Sequence, residues 1–346
     1  MGRQVDSFLA SLYEKNVQQH RFAATSHDEW LVWQKELRSA FSADLGLAAS
    51  LADAAEYPQE HLLEEKACNG YTRRRVSLKL ADELIVPVYI LLPDHDQAPC
   101  ATVIACHGHG YGSRDIVGLQ PDGSDKTDDD PGYQQDFAVA LVRRGFVVVV
   151  PELLGFGDLR LAEDEQKPLN NSSCQRISSN LLMMGYTMAG LRVWQIMRVL
   201  DWLSGKPEVD QQKIGCMGIS GGGLVCAFAS ALDDRIKAAV VSGYANTFKG
   251  SVMAMFHCVD NFIPGVLNHA EMPDIIGLIA PRPLLVESGQ DDPIFPVAAT
   301  REAITRITEI YHVLSAEDRF SYEIFPGEHR IWGEKAYPWL QQWLQG

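Results

Sequence analysis

Six short runs of almost unbroken apolar residues dominate the chain from residue 100 onward: ATVIACHG (101–108), GFVVVVPE (145–152), KIGCMGIS (213–220), IKAAVVSG (236–243), PRPLLVESG (281–289) and FSYEIFPG (320–327). A strand with one wet face alternates polar and apolar residues. Strands without that alternation are buried on both sides, which predicts a mostly parallel sheet covered by helices on both faces, an α/β fold. The intervening segments supply the helices. Over Met188–Leu203 polar residues recur only at Arg192, Gln195, Arg198 and Asp201, a narrow stripe suited to a helix packed deeply on a sheet. Ala336, Trp339, Leu340, Trp343 and Leu344 form a second helical stripe, which tolerates Pro338 only in the first turn.

Upstream, RRRVSLKL (73–80) and IVPVYILLP (85–93) read as an antiparallel hairpin opening the sheet. Residues 1–60 read as helical, with Ser26 and Glu29 as a capping box ahead of Trp30, Trp33, Leu37 and Phe41. The expected organisation is an N-terminal helical extension over 1–65 packed on a main domain over 66–346. Insertions near 153–180 and 244–280 are expected to wall a pocket, because long connections in a compact domain are often functional.

Composition narrows the function. The chain has 346 residues, 46% of them hydrophobic, with a net charge of -15. Such a surface repels phosphate backbones, so nucleic acid is not an expected partner. No apolar run reaches transmembrane length, the first twenty residues lack the apolar core of a signal peptide, and MGRQVD does not fit a myristoylation signal. Seven cysteines without a CxxC point to free thiols in the cytoplasm and to no structural zinc site. His107 and His109 form an H-x-H pair for which no third metal ligand is evident, and His257, Cys258 and Asp260 read as structural or pocket-lining, so neither metal nor cofactor is expected. The acidic run DGSDKTDDDPG lacks calcium-loop spacing and reads as a solvated loop. His20, His27, His61, His95, His269 and His312 fall outside any motif.

Chemistry concentrates at Gly218-Ile219-Ser220-Gly221-Gly222, a G-x-S-x-G stretch between a strand and the helical run 223–232. A nucleophile on so sharp a turn needs small neighbours at both second positions, and the helix N-terminus behind it favours a developing oxyanion. Neither a GxGxxG dinucleotide fingerprint nor a P-loop occurs. A serine hydroxyl needs a base, and in this architecture the acid and the histidine follow it in the chain. Asp292, after the strand ending at Gly289, and His329, in Pro-Gly-Glu-His, fill those places. Asp291 competes with Asp292, and Glu328 is expected to face solvent. HGHG after the first parallel strand suits an oxyanion loop, with the amides of His109 and Gly221 as donors and Gly110 in reserve. Phe156, Trp194 and Phe256, with Phe248 and Phe262, are pocket candidates that read equally well as core.

Taken in order, HGHG, GFVVVVPELLGFG, GISGGG, G-x-x-D and FPGEHRIWGEKAYPWL make residues 70–346 resemble the α/β-hydrolase superfamily. The resemblance is to the branch holding dienelactone hydrolases, acetyl xylan esterases and the catalytic domains of acylaminoacyl peptidases. ALDDRIKAAVVSGY and LIAPRPLLVESGQDDPIFP are typical of its bacterial esterase-like members. Dienelactone hydrolases use cysteine where this chain has Ser220. The RGQ motif of acetyl xylan esterases is absent, Gly221 rather than Gln follows Ser220, and Arg330 rather than Glu follows His329. The resemblance therefore implies a serine carboxylesterase acting through an acyl-enzyme on small esters, without lactone or xylan specificity. An amidase or small exopeptidase on the same scaffold, and a hydrolase-fold binding protein that has lost turnover, are the alternatives. Oligomeric state is not legible.

Overall fold

A computed structural model describes residues 2–47, 57–94, 99–127 and 130–346. Among these residues nine strands form one sheet: β1 (Gln59–Cys68), β2 (Tyr71–Ala81), β3 (Leu84–Pro93), β4 (Cys100–Cys106), β5 (Val147–Pro151), β6 (Val209–Ile219), β7 (Ala238–Ser242), β8 (Leu284–Gly289) and β9 (Phe320–Phe325). Their order is β1-β2-β3-β5-β4-β6-β7-β8-β9. The first three strands and the β3–β5 junction are antiparallel, and every pairing from β5 to β9 is parallel. All six apolar runs are strands of the sheet's interior or far edge, and β2 and β3 form the expected hairpin.

Nine helices accompany the sheet among the described residues: α1 (Gly2–Lys15), α2 (His27–Asp44), α3 (Phe137–Val142), α4 (Cys174–Met183), α5 (Met188–Leu203), α6 (Gly221–Leu232), α7 (Met272–Gly277), α8 (Val297–Val313) and α9 (Ala336–Leu344). Strand residues alternate between two apolar layers, because successive side chains point to opposite faces. Ile104, Val149, Cys216 and Val241 pack beneath α2, α5, α6, α7 and α8. Val103, Val148, Met217 and Val240 pack beneath α3 and α9. Helices therefore cover both faces, and this is why the strand sequences carry no polar alternation.

Two local expectations need correction. Residues 1–60 are not continuously helical: the chain from Asn16 to Ser26 is irregular, 59–60 open β1, and 48–56 lie outside the described residues, as does His95. Strand β1 (QEHLLEEKAC) was not foreseen, and it straddles the expected 65/66 boundary. It is a sheet edge whose residues are mostly exposed, so it has no buried face to write an apolar pattern, and its charges guard the edge against further pairing. The N-terminal cap is present in part as expected: Ser26 Oγ accepts from the Glu29 N–H at 3.3 Å, and the Glu29 carboxylate takes the N–H and hydroxyl of Thr25 at 2.7 and 2.9 Å.

The order β5-β4-β6 means that the chain leaves β4 first to one side and later returns to the other. The carboxyl ends of β4 and β6 thus flank a crevice at the switch in direction, where ligands of open α/β sheets bind.

Candidate active site

Ser220 occupies the single residue between β6 and α6. Its backbone is at φ 56°, ψ -123°, a conformation that side-chain-bearing residues adopt only under strain of about 1–3 kcal/mol. The turn is locked on both sides: the Ser220 N–H donates to Ser242 O on β7 at 3.0 Å, and the Leu224 N–H donates back to Ser220 O at 2.9 Å. The flanking glycines are steric necessities. A Cβ on Gly218 would overlap the Gly222 carbonyl, and one on Gly222 would overlap the carbonyl oxygens of Cys106 and His107 at the end of β4. The serine is thereby presented at the sheet rim, at the N-terminus of α6.

Asp292 and His329 meet beside it. The His329 Nδ1–H donates to Asp292 Oδ2 at 2.7 Å, while Asp292 Oδ1 accepts the N–H groups of Ile294 and Phe295 at 2.8 and 2.9 Å. Asp292 is buried and Asp291 is exposed, so the burial of one neighbour separates two carboxylates that the sequence left as rivals; Glu328 is exposed. The imidazole is stacked between Tyr133 and Phe295, with ring centroids at 5.7 and 5.8 Å. Its Nε2 is buried and has no hydrogen-bond partner. The loop carrying it is fastened by Glu287 of β8, which accepts the N–H groups of Trp332 and Gly333 at 3.0 and 2.7 Å and the Ser242 hydroxyl at 2.8 Å. Burial pushes the Glu287 carboxyl up, against the pull of these donors. Ser242 thus links the loop of His329, through Glu287, to the backbone of Ser220.

The segment after β4 forms the other side. The Gly108 N–H donates to Gln134 Oε1, and the Tyr133 hydroxyl donates to His109 O, both at 2.6 Å. His107 is buried against Glu152, with Nε2 3.2 Å from Oε1. Burial would raise the Glu152 carboxyl, but His107 and the Ser113 donors hold it below its ordinary range. The His109 ring turns toward Asp260, with Nε2 3.4 Å from Oδ2, and meets Phe156 edge-on at 5.0 Å. Burial works against its charge, yet Asp260 and Cys174 raise its pKa to about 9.

Ser220, Gly221, His109 and His329 share one cavity of about 500 Å³. Its remaining walls include Tyr133, Phe256, His257, Cys258, Asn261 and Phe295. Of the expected pocket residues, Phe256 lines it, at 95% exposure. Phe156 and Trp194 do not: both are buried in the core, Phe156 against His107 and His109 and Trp194 on α5. Phe248 is also core, and Phe262 is exposed away from the wall. The 244–280 segment supplies four lining residues and 153–180 none. Sequence reasoning missed Tyr133, which touches both His109 and His329, because it directly follows the acidic run read as a solvated loop and belongs to no motif. It also missed Glu287, whose only sequence signal is a charged residue inside an apolar strand.

The fold, the strained serine elbow and the carboxylate–imidazole pair define an α/β-hydrolase. The model of the Abhydrolase family matches residues 5–313, and the chain belongs to that family. A Bacillus subtilis (strain 168) protein provisionally named hydrolase YtaP is 27% identical over 269 residues, spanning 75% of this chain and 83% of its own. Among solved structures, a protein of Bacteroides fragilis provisionally named an acetyl xylan esterase superposes with a TM-score of 0.83 at 17% identity, over 98% of this chain and 94% of the other. A glucuronoyl esterase from Solibacter usitatus gives 0.64 at 14%, over 94% and 97%. No helix among the described residues is long and apolar enough to cross a membrane.

Proposed function

We propose that the chain is a serine-dependent carboxylic ester hydrolase that cleaves small esters with short acyl chains through an acyl-enzyme. The observation that carries this reading is His329: one ring nitrogen is spent on buried Asp292 and the other is bare, at the wall of a cavity it shares with the Ser220 elbow. In this mechanism Nε2 takes the Ser220 proton as the hydroxyl attacks the ester carbonyl. Asp292 holds the tautomer that leaves Nε2 free to accept, and it stabilises the imidazolium that forms. The oxyanion develops toward the amide of Gly221, the first N–H of α6, with the amide of His109 as the second donor; each such donor is worth about 10²–10³ in turnover. The imidazolium then protonates the leaving alcohol, and water activated by the same nitrogen releases the acid. A cavity of about 500 Å³ walled by Tyr133, Phe256 and Phe295 suits a small, partly apolar ester. The names of the esterases that share the fold agree with this class of reaction.

The test is Ser220→Ala assayed on aryl acetates. Turnover should fall by about 10⁴–10⁶-fold with the fold intact, and a fluorophosphonate should label the wild type but not the variant. Wild-type rates in the variant, or a wild type that resists labelling, would overturn the reading; faster cleavage of the matched amide would make it an amidase.

A further inference from the structure

One wall of the cavity carries a cluster for which the ester chemistry has no use. The ring of His109, the thiols of Cys174 and Cys258 and the carboxylate of Asp260 each offer one ligand atom, and these atoms all lie within 4.8 Å of one another. Three separate segments deliver them: the turn after β4, the first residue of α4, and the short helical turn at 259–261 together with Cys258, which caps it.

The surroundings hold the four in place. The Ser173 N–H donates to Gly155 O at 2.9 Å, fixing the start of α4, and Gly155 leaves the Cys174 thiol its room, since a Cβ there would stand 3.2 Å from the sulfur. The Asn261 side chain donates to Asp260 Oδ1 at 2.8 Å, so Oδ2 is the oxygen turned to His109. Arg192, bound to the Leu154 carbonyl at 3.0 and 2.8 Å, donates to Asp260 Oδ2 at 2.8 Å and to Cys174 Sγ at 3.0 Å. The His109 Nε2 is buried without a hydrogen-bond partner. Asp260 and Cys174 are buried, whereas His109 and Cys258 border the cavity, which provides a path of entry.

We propose that His109, Cys174, Cys258 and Asp260 form a binding site for a thiophilic divalent cation of the Zn²⁺ class. Two sulfurs, one imidazole nitrogen and one carboxylate oxygen are the donor types of four-coordinate zinc. Metal–ligand distances of about 2.0–2.3 Å require the widest pair to close by about 1 Å. The charges also balance. A dication with two thiolates and one carboxylate leaves a single negative charge, which the Arg192 guanidinium, already bonded to two of the ligands, cancels in the manner of an outer-shell partner. Because the backbone of His109 belongs to the turn beside Ser220, a cation here would also pin that turn. Sequence spacing could not reveal the set: Cys174 lies 65 positions after His109, and Cys258 lies 84 positions after Cys174, as the residue numbers show.

The test is an anaerobic Co²⁺ titration of the reduced, chelator-treated full chain. A thiolate-to-cobalt charge-transfer band should saturate at one equivalent and be displaced by Zn²⁺. Cys174→Ser and Cys258→Ser should each abolish the band, His109→Gln should weaken binding at least tenfold, and Cys68→Ser, remote from the cluster, should leave it unchanged, with far-UV dichroism confirming that each variant is folded. A wild type without the band would overturn the proposal, as would a band that survives both serine substitutions. Ser220→Ala should bind the cation as the wild type does, so the outcome is independent of the ester reading.

Discussion

Asp292 shows how much of the site rests on a single carboxylate. Two backbone N–H groups hold Oδ1, and Oδ2 is left for one imidazole N–H. An asparagine can keep the backbone bonds through its carbonyl, but it then turns an N–H₂ toward His329 Nδ1. The ring must become an acceptor there, so its proton moves to Nε2, the nitrogen that should receive the serine's. Asp292→Asn is therefore expected to keep the fold and lower ester turnover by roughly 10⁴-fold, as the wrong tautomer does in other serine hydrolases; steady-state kinetics beside a melting curve will check it. Activity near wild type in that variant would point to a different acid, with exposed Asp291 the first to examine. Tyr133 acts at the same scale by another route, stacking on the imidazole while its hydroxyl holds the His109 carbonyl.

The strand–serine–helix element works because β6 and α6 pass unusually close to the end of β4. That approach is what forbids a side chain at Gly222, where even a methyl would overlap two carbonyl oxygens. Gly222→Ala should cost about 1–3 kcal/mol of stability and also depress turnover, because relief of the overlap has to move the turn that carries Ser220. Thermal unfolding and kcat measured on one preparation will show whether both fall; a melting point and rate equal to wild type would mean that the elbow is looser than its contacts imply. Elements of this kind were legible beforehand, since two-sided burial writes an apolar run and a sharp turn writes glycine. Strand β1 was not, because an exposed edge is held by backbone pairing with β2 and leaves no pattern in its side chains.

At the scale of the molecule, the N-terminal segment is bound into the layer beneath α6. Trp30, Trp33, Leu37 and Phe41 of α2 are buried, Phe41 meets Phe228 edge-on at 4.9 Å, and the Phe22 N–H reaches Asp274 at 3.1 Å. With Leu37 fully buried, Leu37→Ala should remove about 2–5 kcal/mol from one cooperative transition. Denaturant unfolding followed by two probes will check this; a separate early transition, with the remainder unchanged, would mean that α2 folds apart from the sheet.

The sequence by itself determined the layered sheet, the helices on both faces and the serine at a strand-to-helix turn, because burial, periodicity and turn sterics act between residues a few positions apart. It also placed a carboxylate pair and a histidine at later strand ends, where strand direction alone sends loops to one rim. Only the tertiary structure decided that Asp292 rather than Asp291 meets His329, that Phe256 borders the cavity while Phe156 and Trp194 do not, and that Cys174 stands beside His109. Those relations depend on which loops the crossovers bring together and how deeply each side chain is buried, and neither quantity is encoded in any short stretch of the chain.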